Sequence, residues 1–338
     1  MQKGWNFFGL LFRVLYRNVL ISAPAEAAIP GIWLILRNCL LNCINSYIDY
    51  WNLDSAFKNW VNNSCHFYNT LVDRIVSGFP KDKKDEIYKK LGYADELLVT
   101  GEKFGLWVIE GQDEVTDLFR LNQLDLPIVL TDDISKFKKR KVRILNGAHT
   151  SFAALSYLLG YEYVKDALND ESVYKYLDRL FKEEIIPVLS DVDDPIGFTE
   201  DVINRFKNPY INHKLLDICL NSFSKWEARC LPTLLDYLTT YKEVPKLLSF
   251  GLASIITLYK NVDNNGYSSF EGRHYPVQES NDRLNHLRNT DNILSILGSE
   301  LFFKNDLTKI PNFEKIIQEY MTSIEKEGLK ETLWKILK

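Results

Sequence analysis

Three residues in the middle of the chain have the types and spacing of a proton-transfer site. In Lys141-Val-Arg-Ile-Leu-Asn146-Gly-Ala-His149, an α-helix turning about 100° per residue places Asn146 and His149 about 60° apart on one face. Lys141 falls within roughly 140° of both and about 12 Å from His149 along the axis, a gap its long stem closes in part. The apolar residues Leu145, Ala148, Phe152, Leu155 and Leu159 recur at three- and four-residue steps beside them, so their heads are expected at the edge of a core. Dehydration disfavours an ammonium and lowers a lysine from about 10.4 toward proton exchange at neutral pH; Lys139 and Arg140 push the same way. The asparagine and histidine could then orient a carbonyl or hydroxyl oxygen for that transfer. The same residues also read as plain structure. Lys136, Lys138, Lys139, Arg140 and Lys141 form a basic run of the kind that solvates a helix face, and a lone histidine is commonly a satisfied core residue.

The elements that must hold these groups change character along the chain. Residues 46–63 carry aromatic and aliphatic side chains at helical spacing. Over 64–134, short apolar runs (CHFY, ELLVT, GLWVIEG, PIVLTDD) alternate with charged helical stretches such as KDKKDEIYKKLGY, which suggests a piece of an α/β domain. In that region Glu102 and Glu110 read as strand-end residues and Trp107 as core. From Ser135 the strand signals largely cease, and amphipathic segments follow near 162–189, 196–207, 211–230, 232–260 and 312–337, punctuated by prolines. The stretch around 262–285 is expected to be a long surface loop. The expected fold class is therefore mainly α: a leading segment over 1–45 of uncertain structure, a remnant of an α/β domain over 46–134, and a helical domain over 135–338.

Composition sets the outer limits. The 338 residues are 46% hydrophobic and 25% charged with a formal net charge of −4, which fits a globular protein with a real core and no general affinity for nucleic acid or anionic membrane. The five cysteines, Cys39, Cys43, Cys65, Cys219 and Cys230, form no CxxC pair, so neither a disulfide framework nor a metal site is expected. Cys39 and Cys43 are read as two buried structural thiols near His66. The start of the chain imitates a signal peptide, but Arg13 and Arg17 interrupt its apolar run, and a cytoplasmic setting fits best. Neither GxGxxG nor GxxxxGK[ST] occurs, so no phosphate-cradling loop can be assigned. His66, His274 and His286 have no constellation around them.

Lys141-x₄-Asn146-x₂-His149 resembles the active-site motif of the polyol-specific long-chain dehydrogenases, the mannitol dehydrogenase family, and KVRILNGAHTS is similar to the version in its tagaturonate reductases (altronate oxidoreductases). Asn69-Thr-Leu-Val-Asp73-Arg74-Ile-Val-Ser-Gly78-Phe-Pro80, Trp107-Val-Ile-Glu110-Gly, Thr131-Asp132-Asp133, Glu183-Glu-Ile-Ile-Pro187, Arg205-Phe-Lys-Asn208-Pro209-Tyr and Tyr275-Pro-Val-Gln278 add to it in order. The likeness runs from about Ser46 almost to the C-terminus. It implies a helical C-terminal domain of the mannitol dehydrogenase type, similar to that of 6-phosphogluconate dehydrogenase, after a Rossmann-type domain. It also implies NAD as cofactor, no metal, and reduction of D-tagaturonate to D-altronate, with Lys141 as general acid/base and Asn146 and His149 holding the substrate oxygen. The glycine-rich turn of such a domain is not found, and an N-terminally truncated member is expected. A fructuronate or mannitol-type reductase and a non-catalytic helical remnant are the alternatives.

The likeness points to three further substrate-binding candidates. Asp73 matches the aspartate of the VDRI motif, where an Asp73–Arg74 ion pair or a loop cap is the plain alternative. Lys225 matches a lysine of the family's substrate pocket and would otherwise be an exposed helix lysine. A hexuronate carboxylate calls for paired cations, and Arg229, four residues from Lys225 on a helix from about 211 to 230, would complete a clamp. The competing reading pairs Arg229 with an acidic neighbour such as Glu227 or Asp236, or sets it against the helix's C-terminal end. His213 lies about 120° round that helix from Lys225 and needs a bend or another segment to join them.

Overall fold

The computed structural model describes residues 32–111, 116–117, 125–290 and 292–338; most of the expected leading segment lies outside them. Two compact units result, one running up to Asp73 and resuming over Gly105–Ser135, the other joining Arg74–Phe104 to Lys136–Lys338.

In the first unit, α1 (Ile32–Tyr50) is followed by α2 (Ser55–Ser64), whose first turn is capped by Asp54 accepting from the Phe57 N–H at 2.8 Å. Strands β1 (Thr70–Asp73), β4 (Leu106–Glu110) and β5 (Ile128–Thr131) form a sheet in the order β1-β4-β5. β1 runs antiparallel to β4, while β4 and β5 are parallel with Trp107 opposite Ile128 and Glu110 opposite Thr131. A parallel pair needs a crossover connection, which fits the α/β reading of this region. Val108 and Ile109 are fully buried, and the Glu110 carboxylate ties the strand end down by accepting from Asn69 Nδ2 at 3.0 Å and the Ile134 N–H at 3.4 Å. Cys43 departs from expectation. It shares the exposed α1 face with Tyr47 and Tyr50 at i, i+4 and i+7 spacing and is not a buried thiol.

The second unit begins with β2 (Val76–Gly78) and β3 (Thr100–Gly101), paired antiparallel around α3 (Lys84–Leu91). Its body is helical: α4 (Ser135–Arg140), a π-wound segment Lys141–Asn146, α5 (Gly147–Leu158), α6 (Glu171–Arg179), α7 (Pro195–Phe206), α8 (Ser222–Arg229), α9 (Leu231–Tyr241) and α10 (Lys246–Tyr259). α5 and α10 are buried almost all round, as helices at the centre of a large core are. They pack backbone to backbone at Gly251, where a Cβ would stand 2.9 Å from the Ser151 carbonyl oxygen, closer than any side chain tolerates.

Several expected segments are broken where the backbone turns left-handed or loses a donor. The 211–230 region is two pieces, Leu215–Ile218 and α8, parted by Asn221 at φ 53°. The 232–260 region divides between Lys242 and Pro245, and the C-terminal one divides at Gly328 into α12 (Phe313–Glu327) and α13 (Leu329–Ile336), with α11 (Asn281–Arg288) earlier. The expected 262–285 loop is instead a hairpin, β6 (Tyr267–Phe270) and β7 (Arg273–Pro276). Its Glu271-Gly272 turn has positive φ at both residues, the turn form that matches strand twist, and Ser268 and Tyr275 point into the core.

Pro245 precedes α10 and its side chain offers no cap, so the donors of the first turn go to the buried Glu184, whose two oxygens accept from the Leu247 and Leu248 N–H groups at 2.7 and 2.8 Å. Burial outweighs those donors and pushes the carboxyl up to about 7. A carboxyl raised on folding stabilises most below its unfolded value and loses that contribution as pH rises through its folded one. The unfolding midpoint is therefore expected to fall between about pH 4.5 and 7 and to level off above. Glu184→Gln should flatten that segment of the curve, measured by thermal denaturation; an unchanged slope would assign it to other groups.

Candidate functional site

The Lys141–Asn146 segment is wound with i→i+5 bonding, and such single-turn widenings stack residue i+5 near residue i. That closes much of the angular gap that an ideal α-helix would leave between Lys141 and Asn146. Both are half-buried. The basic run ahead of them is anchored as well as solvated: Lys139 pairs with Asp191 at 2.7 Å, Arg140 donates to the Asp193 carbonyl at 2.6 Å and lies 4.8 Å from the Phe198 ring centroid, and burial lowers Lys138 to about 8.

His149 is buried, with its ring stacked 4.0 Å from Phe206 and set edge-on to His213 at 5.1 Å. Its Nε2 is enclosed and without a hydrogen-bond partner. Burial holds its pKa well below the ordinary histidine value, with His213, Arg229, Arg205 and Lys225 adding to the effect, so the ring is neutral at physiological pH. Arg229 reaches the same place from the end of α8. Its guanidinium is buried and donates to Thr150 Oγ1 at 3.1 Å, and the Thr150 hydroxyl in turn donates to the Asn146 carbonyl at 2.9 Å. Gly147 makes this approach possible, since a Cβ there would meet the Arg229 carbonyl oxygen at 3.3 Å.

Among the described residues no carboxylate holds Arg229. Glu227 accepts instead from the Lys304 and Asn305 N–H groups at 2.5 and 3.2 Å, and Asp236 from Arg143 at 3.0 Å, which removes both acidic competitors. Arg229 Nε is buried without a partner, and burial lowers the group to about 10. Lys225 is half-buried, donates to the Ile218 carbonyl at 2.9 Å, and is lowered to about 8 by burial and then by Arg229. The expected exposed lysine is thus an enclosed one.

Sequence reasoning set His213 aside because a continuous helix would turn it away. The break before Leu215 places it on an extended stretch instead, fixed by the Val164 N–H donating to its carbonyl at 3.0 Å and by the Tyr163–Lys214 bridge. Its Nδ1 is enclosed and unpartnered, and burial, opposed by Asp217 and aided by Lys225, lowers it to about 4. A buried ion pair was missed too. Arg205 bonds Glu102 at 2.7 Å, Glu102 also accepts the Ile75 N–H at 2.6 Å, and the guanidinium lies 4.2 Å from the Phe104 ring centroid. Glu102 directly follows β3, as expected of a strand-end residue, and in addition ties residues 74–104 to α7 through Arg205, whose next residue, Phe206, stacks on His149. The only sequence sign was the RFKNP motif itself. Asp73 stands apart. It is buried at the end of β1 in the other unit, and Arg74 donates to the Phe104 carbonyl at 2.9 Å.

A dinucleotide has no cradle among the described residues. No strand there leads through a glycine-rich turn into a helix, and the cavity of about 430 Å³ beyond the carboxyl ends of β4 and β5 is lined by Glu110 and Asp132 with Cys65, His66, Tyr68 and Gly111. A pyrophosphate is held by N–H donors of a helix N-terminus, and no residue lining this cavity is assigned to it. Among the described residues no group of three His, Cys, Asp or Glu could hold a metal, and no helix is long and apolar enough to cross a membrane.

Comparison with known proteins matches residues 133–325 to the mannitol dehydrogenase C-terminal domain and residues 34–123 to the mannitol dehydrogenase Rossmann domain. The altronate oxidoreductase of Yersinia pestis bv. Antiqua (strain Nepal516) is 35% identical over 342 residues, covering 97% of this chain and 65% of that protein. The altronate oxidoreductase of Bacteroides thetaiotaomicron is 37% identical over 306 residues, covering 88% of this chain and 63% of its own. The chain therefore spans under two thirds of the length of these relatives. Among solved structures, the Pseudomonas fluorescens mannitol 2-dehydrogenase ternary complex with NAD and D-mannitol superposes with a TM-score of 0.69 at 22% identity, over 84% of this chain and 57% of that one.

Proposed function

Because the chain belongs to the mannitol dehydrogenase family, we propose that it carries the substrate side of an NAD-dependent reduction of D-tagaturonate to D-altronate. The observation that carries this reading is the buried Arg229 guanidinium, beside which no carboxylate stands among the described residues, while Arg229 Nε and the nearby His149 Nε2 and His213 Nδ1 lack partners. A buried unpaired cation is costly to the fold, and an anionic substrate end supplies the missing partner. A neutral polyol would leave it unpaired, which favours a hexuronate over a mannitol-type substrate. Lys141 gives a proton to the carbonyl oxygen as that carbon is reduced, while Asn146 and the neutral His149 hold the oxygen in line. Lys225 and Arg229 receive the carboxylate, and Asp73 is assigned to the substrate by its match to the family's VDRI motif. Residues 135–338 supply the catalytic and substrate groups; residues 46–134 are assigned to the dinucleotide-binding domain. NAD, when bound, supplies the hydride chemistry.

The chain itself tests the anion site through D-altronate binding as a function of pH. Lys225 must be protonated to meet the carboxylate, and its free value is about 8. Affinity is therefore expected to be flat from pH 6 to 8 and to fall by about tenfold per pH unit above that, until the raised value of the complex is reached. Isothermal titration measures it. Affinity that stays constant from pH 7 to 10 would take Lys225 out of the site, and no binding at any pH would reject the reading.

A further inference from the structure

We propose that His213 is a specificity residue that reads the hydroxyl-bearing carbon chain between the substrate's carbonyl and carboxylate ends, its Nδ1 bonding a secondary hydroxyl. This rests on the site reading above and adds to it the recognition of the middle of the substrate. The two ends are assigned to different helices. The carbonyl belongs with Lys141, Asn146 and His149 around the start of α5, and the carboxylate with Lys225 and Arg229 on α8. His213 belongs to neither helix but touches both groups: its ring stands 5.1 Å from that of His149, and it lies within the electrostatic reach of Lys225.

The imidazole is held from behind by its own backbone. The Val164 N–H donates to the His213 carbonyl, the Leu215 N–H donates to the Glu162 carbonyl at 2.9 Å, and Tyr163 bridges Lys214. The side chain is thus aimed without side-chain partners of its own, and Nδ1 is left enclosed and unbonded. A buried polar atom without a partner is destabilising, and here a second such atom, His149 Nε2, belongs to the ring beside it. Two adjacent unbonded ring nitrogens, next to two buried cations, suit a ligand with a hydroxyl between a polar end and an anionic end. The charged groups acting on His213 are Asp217 and Lys225, while Arg229 and Arg205 act on the neighbouring His149. Burial keeps the ring neutral, opposed by Asp217 and aided by Lys225, so one nitrogen can donate and the other accept, and a hydroxyl satisfies either arrangement. Sites built to bond a hydroxyl discriminate strongly against ligands that lack it, because their own polar groups are then left unpaired.

The test compares D-altronate with hexanoate, which has the same carbon count and carboxylate but no hydroxyl, by titration calorimetry on the chain and two variants. The wild-type chain should bind altronate more tightly than hexanoate. His213→Ala should weaken altronate by about tenfold or more and change hexanoate by less than about twofold. His213→Asn, whose amide places a polar atom near the position of Nδ1, should recover altronate to within about threefold of wild type. Equal binding of the two acids by the wild-type chain, equal losses on both acids in His213→Ala, unchanged altronate binding in that variant, or no recovery in His213→Asn would each overturn the proposal while leaving the anion site standing. A wild-type chain that binds neither acid would overturn the anion site itself, and this assignment with it.

Discussion

Replacing Lys141 by methionine is expected to lower kcat for D-tagaturonate reduction at least ~100-fold, with a much smaller change in KM. The measurement uses a chimera in which residues 133–338 are joined to the Rossmann domain of the Bacteroides thetaiotaomicron relative, so that the dinucleotide-binding domain is the relative's. Methionine keeps the apolar stem, so the half-buried position at the head of the π-wound segment stays filled. Only the proton donor is lost. Reduction of a ketone leaves negative charge on the oxygen unless a proton arrives with the hydride. His149 cannot supply it, because its ring is neutral and its Nε2 has no bonded source of protons in the fold. The positioning groups remain in the variant, and substrate binding should survive. A variant that keeps near-wild-type kcat would return Lys141 to the solvated basic run in which it stands.

Arg229→Met is expected to move stability and activity in opposite directions. In the same chimera, kcat/KM for tagaturonate should fall by about 2–5 kcal/mol in transition-state terms, the loss typical of a desolvated charge contact, while fructose, which has no carboxylate, should lose little. The isolated chain should at the same time unfold at a higher temperature, with a gain of about 1–3 kcal/mol. The reason is that the buried guanidinium is lowered to about 10 by its surroundings and has no carboxylate to offset that burial. Methionine removes the desolvated charge and leaves the Thr150 hydroxyl still donating to the Asn146 carbonyl. Equal losses on tagaturonate and fructose, or a lower unfolding temperature, would show that Arg229 supports the fold and does not read an anion.

Much of this was legible along the chain because it depends on local spacing. The Lys141, Asn146 and His149 pattern, the Lys225 and Arg229 pair and the change from strand-like runs to helical ones near Ser135 are short-range features, and periodicity reports them. Helix interruptions were less legible. Lys242 does not announce a left-handed backbone, Asn221 is only a weak sign of one, and the Glu271-Gly272 turn was hidden in a polar stretch that resembles a loop. Alternation over four residues is too short a signal to outweigh that composition.

By itself, the sequence determined the family, the helical character of residues 135–338 and the residue types available for proton transfer and anion binding. Only the tertiary structure decided which of them share a place. Its i→i+5 winding draws Lys141 toward Asn146, and a break before Leu215 brings His213 against His149. Glu227 and Asp236 are occupied elsewhere, so Arg229 is left buried without a carboxylate, and Glu102 meets Arg205 across 103 positions. Those outcomes rest on long-range packing, where the burial of one group is set by segments far away in the chain, and pairwise spacing in sequence carries no record of it.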